Sequence, residues 1–394
     1  MNWHHRIFGP LFILALGVLL YLRERKSRRL HAEAHAEADA TAPAMLRPKL
    51  RNRGAAIGIG LAVFYLLLFR ALSLAPPFVW DNKGGPILMS VGFLFLGPFA
   101  AGFMTVWESP TDEPWSIKTW IFAPWIPILV NVILALSFAW EGIICVVFIV
   151  PPAIISASLG GIAAGLLARY EQRRLSRRTL YSLAALPLLL AVVETKINQP
   201  LQIRTVDTSV VIHAPLATVW QNIERVHAIA PSELRASWAN TIGFPRPVEA
   251  TLSHEGIGGI RNASFERGLN FTETITDWVP NQRIVFTIKA DTAAIPTTTL
   301  DEHVTVGGRF FDVLTGEYEL HTLPSGDTLL HLSSQERLST DFNTYAAMWS
   351  DAVMRDMQSN ILYVIRNRCE QQTTSVAKLA AASSTATSNQ SQRR

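Results

Sequence analysis

The chain has 394 residues, 49% of them apolar, and a positive mean hydropathy, which is high for a purely soluble protein. Its two cysteines, Cys145 and Cys369, exclude a disulfide framework and a C-x-x-C metal or redox site. The net charge of +4 hides an asymmetry: residues 203–370 carry 13 Lys/Arg and 20 Asp/Glu, net −7, and the rest carries +11. So acidic a segment argues against nucleic acid as a partner.

Ile7 to Leu22 is an apolar run followed by RERKSRR. It is short for a span, and charge rather than a small-residue cleavage site follows it, so residues 1–22 read as an uncleaved anchor. Residues 23–53 hold nine Lys/Arg and the low-complexity stretch HAEAHAEADATAPA, and read as a basic cytoplasmic linker. His31 and His35 lie four apart there, a helical chelate spacing, but alternating Ala and charge reads first as solvated linker.

Residues 54–195 read as a multi-span domain of about five helices: 54–75, 87–107, 119–140, 142–168, and a short last one, Thr179 to Val193, containing Pro187. Basic segments mark the cytoplasmic side. Residues 23–53 and RYEQRRLSRR (169–178) are both basic and are separated by four spans, so they fall on one side. If 179–193 crosses, the acidic segment lies outside the cytoplasm, which is the preferred reading. If it lies in the interface, that segment is cytoplasmic. The setting is a cell (inner) membrane, and the bilayer is an expected partner. Arg70 is expected to snorkel, Glu141 to sit at a hairpin tip in the water interface, and Pro151–Pro152 to kink their helix. Gly161 and Gly165 form a G-x-x-x-G that reads as helix packing, with a homo-oligomer contact as the alternative.

Thr208 to Val226 opens the last domain, 203–370. Ser209–Ile212 is an extended β run, and Pro215 suits the first turn of a helix. Leu216, Val219, Trp220, Ile223 and Val226 follow on one helical face, with Glu224 and Arg225 on the other. Strands are expected near 247–254, 258–266, 269–277, 282–290, 310–322 and 328–338, separated by Gly, Pro and Asn turns. GIGG (256–259) leads into a strand and reads as a hairpin turn, not a phosphate loop. A long helix follows from Phe342 to Arg368, with Phe342, Tyr345, Trp349, Val353, Met357, Ile361 and Val364 as its apolar stripe. Residues 371–394 read as a disordered tail.

The order strand, helix, strands, long helix, with AP-x-x-x-VW (Ala214 to Trp220), resembles the START-like (SRPBCC) superfamily, which includes polyketide cyclase/dehydrase-type domains. The pattern Arg261, Phe265, Gly268, Glu273, then Trp278, is similar to membrane-tethered polyketide-cyclase-like proteins. The resemblance implies an α+β helix-grip domain: a curved antiparallel sheet wrapped on the C-terminal helix, with a ligand cavity between them. The expected fold is therefore an α-helical membrane domain plus this helix-grip domain. Strand parity puts Arg261 and Phe265 on one face, Phe271 and Glu273 on one face, and Leu330, Leu332, Ser334 and Glu336 on one face. Arg261, Glu273 and Glu336 are thus candidate inward polar groups, with Arg261 and Glu273 a possible cross-strand pair. Trp238, Phe265, Phe271, Phe286, Tyr318, Met348 and Trp349 are candidate walls, each also readable as plain core. The expected function is binding of a small apolar or amphiphilic ligand, lipid or aromatic. The alternatives are a cyclase-, dehydratase- or hydrolase-type enzyme using Glu273, Glu336 and Arg261, and a non-enzymatic membrane sensor or structural protein. No nucleophilic triad, metal cluster or cofactor motif stands out.

Overall fold

The computed structural model describes residues 47–73, 89–108, 116–170, 177–194, 197, 199–291 and 305–391. The expected anchor 1–22, most of the linker 23–53 and the His31/His35 pair lie outside these residues. The chain divides into two compact units, Met1–Gln199 and Pro200–Arg394.

The first unit is helical. Helix α1 spans Arg47–Ser73, α2 Gly97–Trp107, α3 Ile117–Phe122, α4 Trp125–Ser137, α5 Ile143–Tyr170 and α6 Arg177–Glu194. Gly54–Leu72, Ile117–Ser137 and Ile143–Arg169 are long and apolar enough to cross a membrane, while Gly92–Trp107 and Ala184–Glu194 are shorter apolar helices. Exposed Ile133, Ile155, Leu159 and Leu189 give the unit an oily exterior, as contact with hydrocarbon requires. One expected span is modified at its start: Gly92–Leu96 is a π-helical turn that runs into α2. There Gly92 packs against Ala191 and Pro187 of α6, and its N–H donates to Glu194 Oε2 at 3.0 Å. Across Pro151 and Pro152 the helical assignment of α5 is unbroken.

One expectation about side chains in this unit changes. Arg70 does not extend alone to water. Its Nη1 donates to Glu141 Oε1 at 3.0 Å and its Nη2 to the Trp140 carbonyl at 3.0 Å. A charge pair 71 residues apart in sequence neutralises two groups that are each costly near the hydrocarbon. Gly161 and Gly165 lie against Trp120 of α3, where a Cβ would approach the Trp120 carbonyl or ring to 2.2 Å. This is the helix packing that their spacing suggests.

The second unit is a seven-stranded, curled antiparallel sheet, a half-barrel, with a long C-terminal helix. The strands are β1 Gln202–Ile212, β2 Pro247–Leu252, β3 Ile260–Phe265, β4 Asn270–Val279, β5 Arg283–Asp291, β6 Phe311–Thr322 and β7 Thr328–Leu338. Their order is β1-β7-β6-β5-β4-β3-β2. Helices α7 Leu216–Glu224 and α8 Trp238–Thr241 follow β1, and α9 Asn343–Ser391 closes the chain. Pro215 is the N-cap of α7, one position earlier than its sequence role suggests. Val219, Trp220 and Ile223 of α7 enter the main core with Ile275, Ile284, Phe286, Tyr318, Leu330, Leu362, Ile365 and Cys369. The Gly256 to Gly259 turn joins β2 to β3, and Gly256 and Gly258 have φ of 98° and 86°. Those left-handed values favour glycine, as the hairpin reading requires.

Glu224 was expected on the outer side of α7, but it is 8% exposed. Burial, then the nearby Glu255 charge, raises its carboxyl above the ordinary range, against a hydrogen bond from Trp220. A raised folded-state value means the neutral form is favoured in the fold, so a cost appears as pH climbs through that value. Glu224→Gln is therefore expected to raise the thermal midpoint at neutral pH by on the order of 2 °C, with no gain near pH 4. Paired melting curves at the two pH values check this.

The end of the chain also differs from expectation. Helix α9 does not stop at Arg368 but continues to Ser391. No Gly or Pro follows Gly326, and the stretch after Lys378 is rich in Ala, the best helix former. Residues 371–378 are mostly exposed, with Gln372 accepting from Asn222 at 3.0 Å, so local propensity is the main support of this part of the helix.

Candidate functional site

The sequence periodicity placed the polar candidates on the correct face. Arg261 (5% exposed) and Glu273 (6%) stand directly opposite each other on β3 and β4. They form a buried ion pair through Arg261 Nη1 and Glu273 Oε2. Strands β3 and β4 are neighbours in a hairpin, so the register alone brings the two Cβ atoms to about 5 Å. The Phe286 and Tyr318 rings, from β5 and β6, each lie 5.7 Å from the Arg261 guanidinium carbon. Aromatic faces stabilise a desolvated cation. Gly316 makes room for this: a Cβ there would meet the Phe286 ring at 2.5 Å. Burial raises the Glu273 carboxyl, and Arg261 only partly offsets it. Burial also raises the Tyr318 hydroxyl. Arg261 Nε is buried without a hydrogen-bond partner. An unpaired buried N–H costs free energy, so it marks a position suited to an acceptor.

Phe265 and Phe271 are partly buried and meet edge to face at 5.2 Å, packed on Val226, Ala250 and Ala263. The ion pair thus lies in strands that join this smaller cluster to the main core. Trp349 is partly buried, and its ring centroid is 6.3 Å from that of Trp238. Two of the candidate walls are open to solvent. Met348 is 56% exposed and Trp238 39% exposed. Met348 is one residue from Trp349, a rotation of about 100° around the helix, which carries it off the packed face.

Glu336 is fully buried on β7, as its parity predicts. It belongs to a different group from the Arg261 pair, being three strand spacings, roughly 14 Å, from β4 along the sheet. Ser350 of α9 donates to its Oε2 at 2.6 Å, while its Oε1 has no partner. The candidate acid–base residues are therefore distributed over two sites.

Several residues that shape this face were not singled out in the sequence. Arg204 lies opposite Glu336 on β1 and holds Asp351 with two bonds, Nε to Oδ1 at 3.0 Å and Nη2 to Oδ2 at 2.7 Å. Gln358 links Thr208, the Val206 carbonyl and Ser334. Asp356 accepts from Arg235 Nη2 (2.7 Å), Ser237 Oγ (2.5 Å) and the Ala239 N–H (3.0 Å), fastening the segment around α8 to α9. The most buried side of α9 is thus partly polar: Asp356, Gln358 and Asn360 are more enclosed than Val353, Met357 or Ile361. Extending the β1 alternation back from Val210 to Arg204 would have flagged the arginine.

No family model matches the chain, and no curated protein matches it. Solved structures do. An aromatase/cyclase, Zhui from Streptomyces sp. R1128, is 16% identical, with 44% of this chain and 96% of that one covered and a TM-score of 0.28. An uncharacterized protein from Rhizobium leguminosarum is 16% identical over 43% and 99% of the two chains, TM-score 0.26. A major latex-like protein from Panax ginseng is 11% identical over 40% and 96%, TM-score 0.23. The helix-grip architecture rests on this chain's own strand order and closing helix.

Proposed function

We propose that the second unit binds a small apolar or amphiphilic molecule, a lipid or an aromatic compound, on the concave side of its sheet, with a polar group of the ligand seated at Arg261. The observation that supports this most is the buried guanidinium, flanked by Phe286 and Tyr318, with Nε left without an acceptor. Sites for small molecules combine apolar walls with a few placed polar groups, and this constellation has both. The first unit would hold the domain at a cell membrane. The basic segments at 23–53 and 169–178 favour placing it on the non-cytoplasmic side, which a topology reporter fused after residue 394 would test.

The binding test uses the full chain purified in mild detergent, extracted with solvent and analysed by mass spectrometry. The wild type is expected to release a discrete small molecule, and Arg261→Met/Glu273→Leu to release at least about tenfold less, which corresponds to about 1.4 kcal/mol of binding. A wild-type extract holding only detergent and bulk lipid would overturn the proposal. A catalytic second reading is supported by the raised Glu273 carboxyl. Under that reading the folded fraction of Glu273→Gln, isolated by size exclusion, would hold the molecule yet not turn it over.

A further inference from the structure

The front of α9 and its middle are attached to the sheet by different means. Beyond residue 360, Leu362, Ile365 and Cys369 are part of the apolar core. The first turns add a set of polar bonds to the contacts of Ala347 and Trp349. Asn343 accepts from the Thr340 N–H at 2.8 Å and donates to the Pro200 carbonyl at 2.6 Å, Ser350 donates to Glu336, and Arg204 grips Asp351.

Glu336 is central to this seam. Its register neighbours are Arg204 on β1 and Val313 on β6. From α9 it faces Ser350 and Asp351, with Arg355 reaching Asp351 at 3.7 Å while itself 59% exposed. Asp312 and Arg337, next along β6 and β7, pair with each other. Arg204 commits both of its bonds to Asp351. Two carboxyls therefore face this seam beside Arg204, whose side chain is 29% exposed and whose hydrogen bonds go to Asp351. An ionised Glu336 would be a buried charge beside a like charge. Asp351 follows Ser350, which bonds Glu336, and is held by Arg204, the register partner of Glu336, so the two carboxyls are neighbours on this seam; a protonated Glu336 has an O–H to offer where its Oε1 otherwise has no partner.

We propose that a proton held by the buried Glu336 carboxyl, turned toward Asp351, latches the first turns of α9 onto β1 and β7, and that losing this proton as pH rises releases those turns. Burial first, and the neighbouring Asp351, raise the Glu336 carboxyl above its ordinary value, against the opposing pull of Ser350 and Arg204. With the folded-state value raised, the grip is complete below the ordinary carboxylate range and weakens as pH climbs through the raised value. Release would uncover the concave face under Tyr345 and Trp349, giving that face a proton-controlled cover. The latch operates with or without a ligand.

Hydrogen exchange of the full chain in detergent, corrected for intrinsic rates, tests it with no ligand present. Protection of amides 345–352 is expected to fall by about tenfold or more between about pH 5 and pH 8, while 361–369 changes little. Glu336→Gln, whose amide still has an N–H to offer there, should stay protected at both. Equal protection of the wild type across this range, or the same fall in Glu336→Gln, overturns the proposal. Should that variant not fold, Asp351→Asn removes the like charge and should flatten the step; an unchanged step in it is equally decisive against the latch. Because the readout is amide protection, it fails or succeeds independently of the extraction experiment.

Discussion

Glu273→Gln is expected to cost the second unit about 3–5 kcal/mol, and Arg261→Ala a similar amount. Both partners are almost fully enclosed, so removing one leaves the other desolvated and without its counter-charge. The glutamine keeps the size of the side chain and loses only the charge, so the loss isolates electrostatics from packing. Arg261 would then retain the Phe286 and Tyr318 rings, worth about 2 kcal/mol when desolvated, and the Tyr318 hydroxyl. Removing both charges is a different matter. Arg261→Met/Glu273→Leu substitutes apolar volume for a pair whose desolvation nearly cancels its attraction, and it should recover most of the stability. Denaturant titrations of the three variants, followed by tryptophan fluorescence, give the comparison. A double variant as unstable as the singles would mean the site depends on the bonds themselves. A double variant that is stable yet yields no extracted molecule would separate binding from folding, which neither single change can do.

That pair was legible because it depends on a period of two over short strands. Once β3 and β4 are recognised as a hairpin, Arg261 and Glu273 must be near neighbours, and the same parity turns Glu336 inward. What was not legible depends on contacts between distant segments. Arg70 meets Glu141, and Arg204 meets Asp351 147 residues away; neither partner is marked by local spacing. Glu224 was misplaced because α7 ends at that residue, where the helical period no longer decides exposure. The stripe on α9 was correct in its period but incomplete. The helix is buried both against β1 and against the α8 segment, so polar residues between the apolar ones, Asp356 and Gln358, are enclosed as well. An amphipathic pattern describes a helix with one covered side, and α9 has two.

Gly160→Val and Gly102→Val are expected to be the most damaging single changes in the helical first unit. A Cβ at Gly160 would lie 1.9 Å from the Phe99 carbonyl oxygen, and one at Gly102 would lie 1.9 Å from the Ala157 carbonyl oxygen. The obstructing atoms are backbone, so neither a rotamer change nor a flexible tip can relieve the overlap; α2 and α5 must move apart. In hydrocarbon, helices associate through close van der Waals packing rather than hydrophobic expulsion, and separation removes the main attraction. Overpacking of this kind costs about 1–3 kcal/mol at a yielding site and more at a rigid one. The two positions act on one contact, so the double variant should lose less than the sum. Gly60 supplies the internal control. Nothing lies within 4 Å of a Cβ built there, so Gly60→Ala should be neutral or stabilising by up to about 1 kcal/mol through helix propensity. Thermal unfolding in detergent micelles ranks the set. If Gly60→Ala proves as harmful as Gly160→Val, the close crossing of α2 and α5 is not what holds the unit together.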